Sequence, residues 1–444
     1  MTKKNKTKKK RGAALWQKAK EIIPGGNQLL SKRSEMFLPD QWPSYYKRAK
    51  GVELWDLDNR HYYDLSMMGI GTCVLGYANP GVSRAVKKAL DAGNMSTLNC
   101  YEEVLLAERL IGLHPWAQMV RFARTGGEAC AIAIRIARAA ASRDKVLFCG
   151  YHGWNDWYLS SNLADSKSLD GQLFPGLEPL GVPRALKGTS FSFPYGNIEK
   201  FKQLIAEHQG EVGAVIMEIQ RSQDIDLPFL REIRKLTQRF DIVLIFDEVT
   251  SGFRFRTGGM HILYAIYPDI VILGKALGNG HPIAAVIGRK NVMNAAQGSF
   301  ISSTYWTERI GFAAAIEVIR QYESQKIPTI ICQKGKSIKA ELGKIFEDLH
   351  LKIEMGGLDP VPTMLIMEDQ PLLIKTLFTQ EMLKKGYLTS TLIYVSSFHT
   401  DPILKKYFKD AHQTFRQIAL WKSEGTLEKK LEGPVCHSGF KRIV

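Results

Sequence analysis

The runs Ile242-Val243-Leu244-Ile245-Phe246 and Ile270-Val271-Ile272-Leu273 are short, apolar and rich in β-branched residues. Each ends abruptly on charge, Asp247-Glu248 after the first and Gly274-Lys275 after the second. Uninterrupted apolar runs of this length read as strands buried on both faces. Working outward, Met119 to Ala123, Lys145 to Cys149, Ala214 to Met217 and Ile283 to Ile287 repeat the pattern, and helical text intervenes at Glu128 to Ala141 and Pro228 to Phe240. Such alternation implies crossover connections, hence an α/β fold with a mostly parallel sheet covered by helices.

In open sheets of this kind, ligands gather beyond the carboxyl ends of the strands. There the sequence places Arg124-Thr125-Gly126-Gly127, Gly150-Tyr151-His152-Gly153, Glu218, Asp247-Glu248 and Gly274-Lys275. Thr125-Gly126-Gly127 opens a helix, where glycines permit close approach and free N–H groups favour an anion; an ordinary capped loop reads the same way. Lys275 at a strand end suits condensation with a carbonyl, although a lysine there is more often a surface group, and the spacing is not that of a Walker A loop. Asp247, at the end of a buried strand, needs a cationic partner, and the protonated ring nitrogen of a pyridoxal cofactor is one. A metal-binding Asp247-Glu248 pair is the weaker alternative, because neighbours on a strand face opposite ways.

The 444 residues are 45% hydrophobic and 23% charged, which excludes collagenous, fully disordered and disulfide-stapled classes. No run approaches the roughly 18 to 20 apolar residues of a membrane span. Ala13 to Trp16 leads straight into charged text, with no apolar core of a signal peptide, so a cytoplasmic protein is expected. The six cysteines show no metal-ligand or disulfide spacing, and no metal is expected. The formal charge is +16, yet seven basic residues fall within the first eleven positions. The remaining excess is not interleaved with aromatics, so nucleic acid is an unlikely partner, whereas a positive field favours anionic small molecules.

Taken together, these blocks resemble the class III pyridoxal-phosphate-dependent aminotransferases of fold type I, with the pattern of the glutamate-1-semialdehyde 2,1-aminomutases among them. The likeness runs from residue 20 to at least 320, through Pro24-Gly25-Gly26, Arg124 to Ala129, Tyr151-His152-Gly153, Phe246 to Arg254, Pro268-Asp269 and Gly274-Lys275. The resemblance implies pyridoxal 5'-phosphate held covalently by Lys275, which then acts as the proton-shuttling base. It implies Asp247 on the pyridinium nitrogen, Tyr151 and Val249 on the two ring faces, and Thr125, Gly126 and Gly127 around the phosphate. Thr304 resembles the threonine that reaches the neighbouring subunit's phosphate, which implies a homodimer with shared active sites. The implied activity moves an amino group between a small-molecule amino donor and a carbonyl acceptor; intramolecular amino transfer is the alternative. Ser31, Arg33 and Glu218 are the candidate substrate contacts. A non-catalytic scaffold with a basic tail is a remote alternative, since a buried Lys275 and Asp247 without a ligand would be costly.

Some positions depart from the family pattern. Ile219 stands where proline commonly follows the glutamate, Gly127 where a hydroxyl residue is frequent, and Arg124 where a small amide is usual. Residues 160–187, with Gly181-Val182-Pro183, resemble the aminomutase lid, and the Ser, Asp, Gly and Pro content of 160–190 reads as a mobile loop. The expected organisation is a disordered basic tail at 1–12, an N-terminal segment at 13–75 that joins a smaller α+β domain, a large cofactor domain at 76–310, and a C-terminal small domain at 311–444.

Overall fold

The apolar runs fold as strands whose side chains are buried above and below. The computed structural model describes residues 11–172, 175–220 and 224–439. In chain order its strands are β1 Tyr46–Lys50, β2 Glu53–Asp56, β3 His61–Leu65, β4 Met119–Ala123, β5 Lys145–Cys149, β6 Ser190–Ser192 and β7 Val212–Met217. They continue with β8 Val243–Asp247, β9 Ile270–Leu273, β10 Ala284–Gly288, β11 Ile353–Leu358, β12 Val361–Ile366 and β13 Tyr387–Thr389.

The central sheet has the order β4-β10-β9-β8-β7-β5-β6. From β6 to β9 every pairing is parallel, while β10 runs antiparallel to both its neighbours. The exception follows from chain length, because only a tight stretch around Lys275–Gly278 separates β9 from β10 and a parallel return needs a long crossover. Side-chain alternation divides the core in two. Leu244, Phe246, Val271 and Leu273 enter one cluster with Phe312 and Val318, whereas Val243, Ile245, Ile270 and Ile272 enter another with Ile132, Ala133 and Ile136 of the helix Gly126–Ala141. Both faces being covered, the central strands β7, β8 and β9 carry no polar alternation.

Two strand ends fall one residue later than the sequence pattern suggests, so Asp247 is the last residue of β8 rather than the first beyond it. The short edge strand β6 has too few apolar residues to be recognised locally.

Residues 46–65 and 387–389 meet in a second, four-stranded sheet. The β1-β2-β3 meander is joined by β13, which pairs in parallel with β3 through Tyr387 and Tyr63. Helices Ile327–Asp348, Pro371–Lys384 and Asp401–Ser423 and the β11-β12 hairpin complete this region. The helix Arg309–Gln325 packs on Pro80–Asp91 and Glu102–Leu113, so a boundary after residue 310 cuts an element that belongs by packing to the larger body. Arg11 and Gly12, read from sequence as tail, open the helix Arg11–Ile22; the remainder of the basic segment lies outside the described residues.

The described part of 160–190 is pinned rather than open. The Asn162 amide donates to the Leu177 carbonyl at 3.0 Å and its oxygen accepts from Leu169 N–H at 3.1 Å, with Leu169 and Val182 buried. Among the described residues, no helix is long and apolar enough to cross a membrane.

Candidate active site

A cleft of ≈ 510 Å³ opens at the carboxyl edge of the central sheet. Thr125, Gly126, Gly127, Tyr151, Glu218, Asp247, Val249 and Lys275 all line it. Residues far apart in sequence converge because parallel strands deliver their carboxyl ends to one edge.

At the anion seat, Thr125 caps the helix Gly126–Ala141 in a capping box. Its hydroxyl accepts from Glu128 N–H, and the Glu128 carboxylate accepts from the N–H groups of Thr125 and Arg124. The first-turn amides of Gly126 and Gly127 have no intrahelical acceptor and sit on the cleft wall. Gly153, with φ of 104°, closes the opposite loop onto this turn; a Cβ there would lie 2.8 Å from the Gly127 Cα. Two free amides at the positive end of a four-turn helix fit a phosphate group. Arg124 does not reach toward this seat. Its guanidinium pairs with Glu308 at 3.4 Å and donates to the carbonyls of Trp306 and Glu308, which makes it a strut between segments.

On the cleft floor, Asp247 is 4% exposed. Its Oδ2 faces His152 Nδ1 at 2.8 Å and accepts from Cys130 Sγ at 3.3 Å, while Oδ1 accepts Val249 N–H at 3.0 Å. Burial alone pushes this carboxyl up, but His152 and the Val249 and Cys130 donors outweigh it, and the net displacement is downward. A buried carboxylate held ionised beside a cleft fits the cationic nitrogen of a pyridinium ring. Cys130, His152 and Asp247 also lie within 4.8 Å of one another, close enough for a metal, yet the cysteine and histidine each point at Oδ2 itself.

Tyr151 leaves 38% of its surface exposed at the cleft, and its loop is held from behind. Glu218 Oε2 accepts Tyr151 N–H at 3.0 Å, and Gly150, with φ of 109°, has no room for a side chain because a Cβ would fall 2.5 Å from that same oxygen. Glu218 therefore acts on the loop that presents the aromatic ring. Ile219, where the family pattern has proline, is buried and gives its carbonyl to the Tyr195 hydroxyl. Val249 stands against Gly126, whose Cβ would lie 3.1 Å from a Val249 methyl.

Lys275 begins the turn after β9 with φ of 40°, a left-handed conformation unusual for a side-chain-bearing residue. Its Nζ donates to Thr250 Oγ1 at 2.8 Å. The N-terminal segment adds Gln28, Leu29 and Lys32 to the lining. Ser31 and Arg33 are not on this wall; the Arg33 guanidinium lies against Gly25, where a Cβ would meet Nη2 at 2.2 Å. Thr304 starts a 3₁₀ turn outside its own chain's cleft.

Sequence reading passed over several of these groups. His152 stands in a recognisable block, but nothing local marks it as the partner of Asp247, and nothing local marks Cys130 or Thr250; Gln28 and Lys32 lie in the same N-terminal stretch as Ser31 and Arg33, where contacts to a substrate carboxylate are expected. Thr250 carries no local signal: its offset from Asp247 equals that of Lys275 from Ile272, but the pairing of Asp247 with Ile272 exists only in the assembled sheet.

Comparison with known proteins agrees with this geometry. The model of the family described as aminotransferase class-III matches residues 39–356. The chain is 28% identical over 383 residues to 3-aminobutyryl-CoA aminotransferase of Cloacimonas acidaminovorans, covering 84% of this chain and 88% of that protein. It is 33% identical over 354 residues to glutamate-1-semialdehyde 2,1-aminomutase of Methanothrix thermoacetophila, covering 78% and 79%. Among solved structures, the FumI protein of Sphingopyxis sp. MTA144 in its PLP internal aldimine form superposes with a TM-score of 0.83 at 24% identity, over 93% of this chain and 97% of that one. A match of this extent, on a fold whose strand ends carry this set of side chains, means that the chain belongs to the class-III aminotransferases, pyridoxal 5'-phosphate enzymes.

Proposed function

We propose that the chain transfers an amino group between a small-molecule amino donor and a carbonyl acceptor, with Lys275 as the covalent anchor and proton carrier. The observation that carries this reading is the convergence of Lys275, Asp247, Tyr151, Val249 and the Thr125-Gly126-Gly127 turn on one cleft. Pyridoxal 5'-phosphate, when bound, supplies an aldehyde for amines and an electron-withdrawing ring. The residues do the rest: Gly126 and Gly127 N–H groups and Thr125 hold the phosphate, Asp247 holds the ring nitrogen protonated, and Tyr151 and Val249 fix the ring plane. Lys275 Nζ moves the proton.

For the substrate, Lys32 and Gln28 are the groups offered from the N-terminal segment, in place of Ser31 and Arg33. An anionic donor suits Lys32, and Lys32→Ala raises its KM about tenfold, the worth of one hydrogen bond to a charged group. Relatives that are aminomutases favour intramolecular transfer as a second reading. A survey of amino donors and acceptors decides between the two. Release of a keto product from many donors supports transamination, whereas turnover of glutamate-1-semialdehyde alone supports the mutase. Borohydride trapping with peptide mapping tests the anchor, and an unmodified Lys275 rejects the whole reading.

A homodimer with shared sites is part of the proposal. Met95, Leu98, Tyr101, Val104, Leu105, Phe300 and Tyr305 are exposed, and the Arg309–Glu102 ion pair at 2.7 Å joins the 94–105 segment to the start of the helix Arg309–Gln325, which follows the turn bearing Thr304. An apolar surface of this kind suits a second copy of the chain. Thr304, outside its own cleft, would then serve the partner's phosphate; sedimentation at micromolar concentration should show twice the chain mass of 50.0 kDa. The six free cysteines agree with a reducing compartment, the cytoplasm.

A further inference from the structure

We infer that Thr250 is a positioning residue that holds the Lys275 amine at the point from which it exchanges a proton with substrate. The inference rests on the proposed role of Lys275, and its failure is separable from failure of that role.

Register brings the two side chains together. Strands β8 and β9 are parallel, with Asp247 opposite Ile272. Three residues further along each chain come Thr250 and Lys275, and their side chains meet at 2.8 Å between Nζ and Oγ1. Neither residue owes its place to the other. Lys275 is set by the turn after β9, where Leu277 N–H bonds to the Gly274 carbonyl. Thr250 is set by the turn after β8, where Gly252 N–H bonds to the Glu248 carbonyl and the buried Arg254 Nε donates to the Thr250 carbonyl at 2.6 Å. Two rigid strand ends thus fix a hydroxyl beside a flexible amine.

The choice of a hydroxyl has a chemical consequence. An ammonium can only donate, whereas a neutral amine keeps two N–H donors and adds a lone pair, so a partner that meets the group in both states should accept from N–H and be able to donate to the lone pair. Threonine does both, whereas a carboxylate can only accept and so favours the charged form, and a methyl does neither. Tethering Nζ in either state keeps the proton-transfer distance constant through the cycle, which is where positioning has its largest effect on rate. Val249, adjacent in sequence, faces Gly126 and Gly274 instead, so Thr250 is the member of this turn that reaches the amine.

The test uses the full chain loaded with pyridoxal 5'-phosphate and compares Thr250→Val, Thr250→Ser and Lys275→Ala. In Thr250→Val the cofactor still binds with its visible band, the midpoint of the absorbance-versus-pH titration falls by about 0.5 to 1 pH unit, and the isotope effect on kcat from an α-deuterated donor rises while KM stays within about twofold. Thr250→Ser restores the titration midpoint and the isotope effect. A valine variant with the wild-type midpoint and isotope effect overturns the inference while leaving the anchor standing. If Lys275→Ala still gives a borohydride-stable link to the same peptide, the proposed function itself is lost. Should Thr250→Val not fold, Thr250→Ala removes the hydroxyl with less steric change and is read by the same measurements.

Discussion

Asp247 and Glu248 are neighbours on one chain, both buried and both facing a histidine, yet they belong to different regions. Asp247 shares the parity of Val243 and Ile245 and points to the side of the helix Gly126–Ala141, where the cleft opens. Glu248 points to the other side, into a closed pocket. Its Oε1 lies 2.5 Å from His261 Nδ1 and 3.0 Å from His261 N–H, and its Oε2 accepts from Met260 N–H at 2.6 Å and Ser251 Oγ at 3.2 Å. The histidines differ as well. Trp116 Nε1 donates to His261 Nε2 at 3.1 Å, so His261 carries its hydrogen on Nδ1. His152 faces oxygen on both sides, Asp247 Oδ2 at 2.8 Å and the Cys149 carbonyl at 3.1 Å, so both bonds form fully only when each ring nitrogen carries a hydrogen. The same carboxylate–histidine pairing thus borders an open cleft on one side and forms a sealed clasp on the other.

The largest effect expected from this contrast is on turnover. Asp247→Asn should lower kcat by about 10² to 10³-fold, the range for removing one preorganised electrostatic group, while the chain stays folded. Glu248→Gln should do the reverse. Its new NH₂ must face either Met260 N–H or His261, at a stability cost of about 3 kcal/mol, with turnover per folded molecule within about twofold of normal. Denaturant titration alongside active-site counting checks both, and a Glu248→Gln enzyme that is stable but inactive would dissolve the distinction.

Acid should act first on the sealed side. His114 stacks on His261 with centroids 5.2 Å apart, and burial, then the neighbouring His261, lowers its pKa to about 4. Because the unfolded chain takes up that proton near pH 6.5 and the folded chain only near 4, stability falls as pH drops through this interval, by roughly 3 kcal/mol at most. His399, also lowered to about 4 by burial, adds to the slope from the other sheet. Asp247 and Glu248, both displaced downward, are fully stabilising above the ordinary carboxylate range and are lost only at lower pH. Stability curves at successive pH values should therefore show a first loss between pH 6.5 and 4 that is diminished in a His114→Asn variant, and an unchanged slope would remove His114 from the account. Smallest of all, Thr125→Ala should cost about 1 kcal/mol by deleting the cap, measurable in the cofactor-free chain by thermal melting.

Periodicity is local, and so the strand cores, the helix opened by Gly126, and the placing of Asp247 and Lys275 at strand ends were legible in the amino acids themselves. Parity also showed that Asp247 and Glu248 could not both face one ligand, since alternation along a strand is imposed by backbone geometry. Register between strands and pairing across long separations are not written into any one segment. The parallel addition of β13 to β3, the meeting of His152 with Asp247, the Thr250 tether on Lys275 and the presentation of Lys32 rather than Arg33 all depend on how distant segments cross. Those are properties of packing, where the burial of many side chains jointly selects one arrangement that no single stretch of sequence specifies.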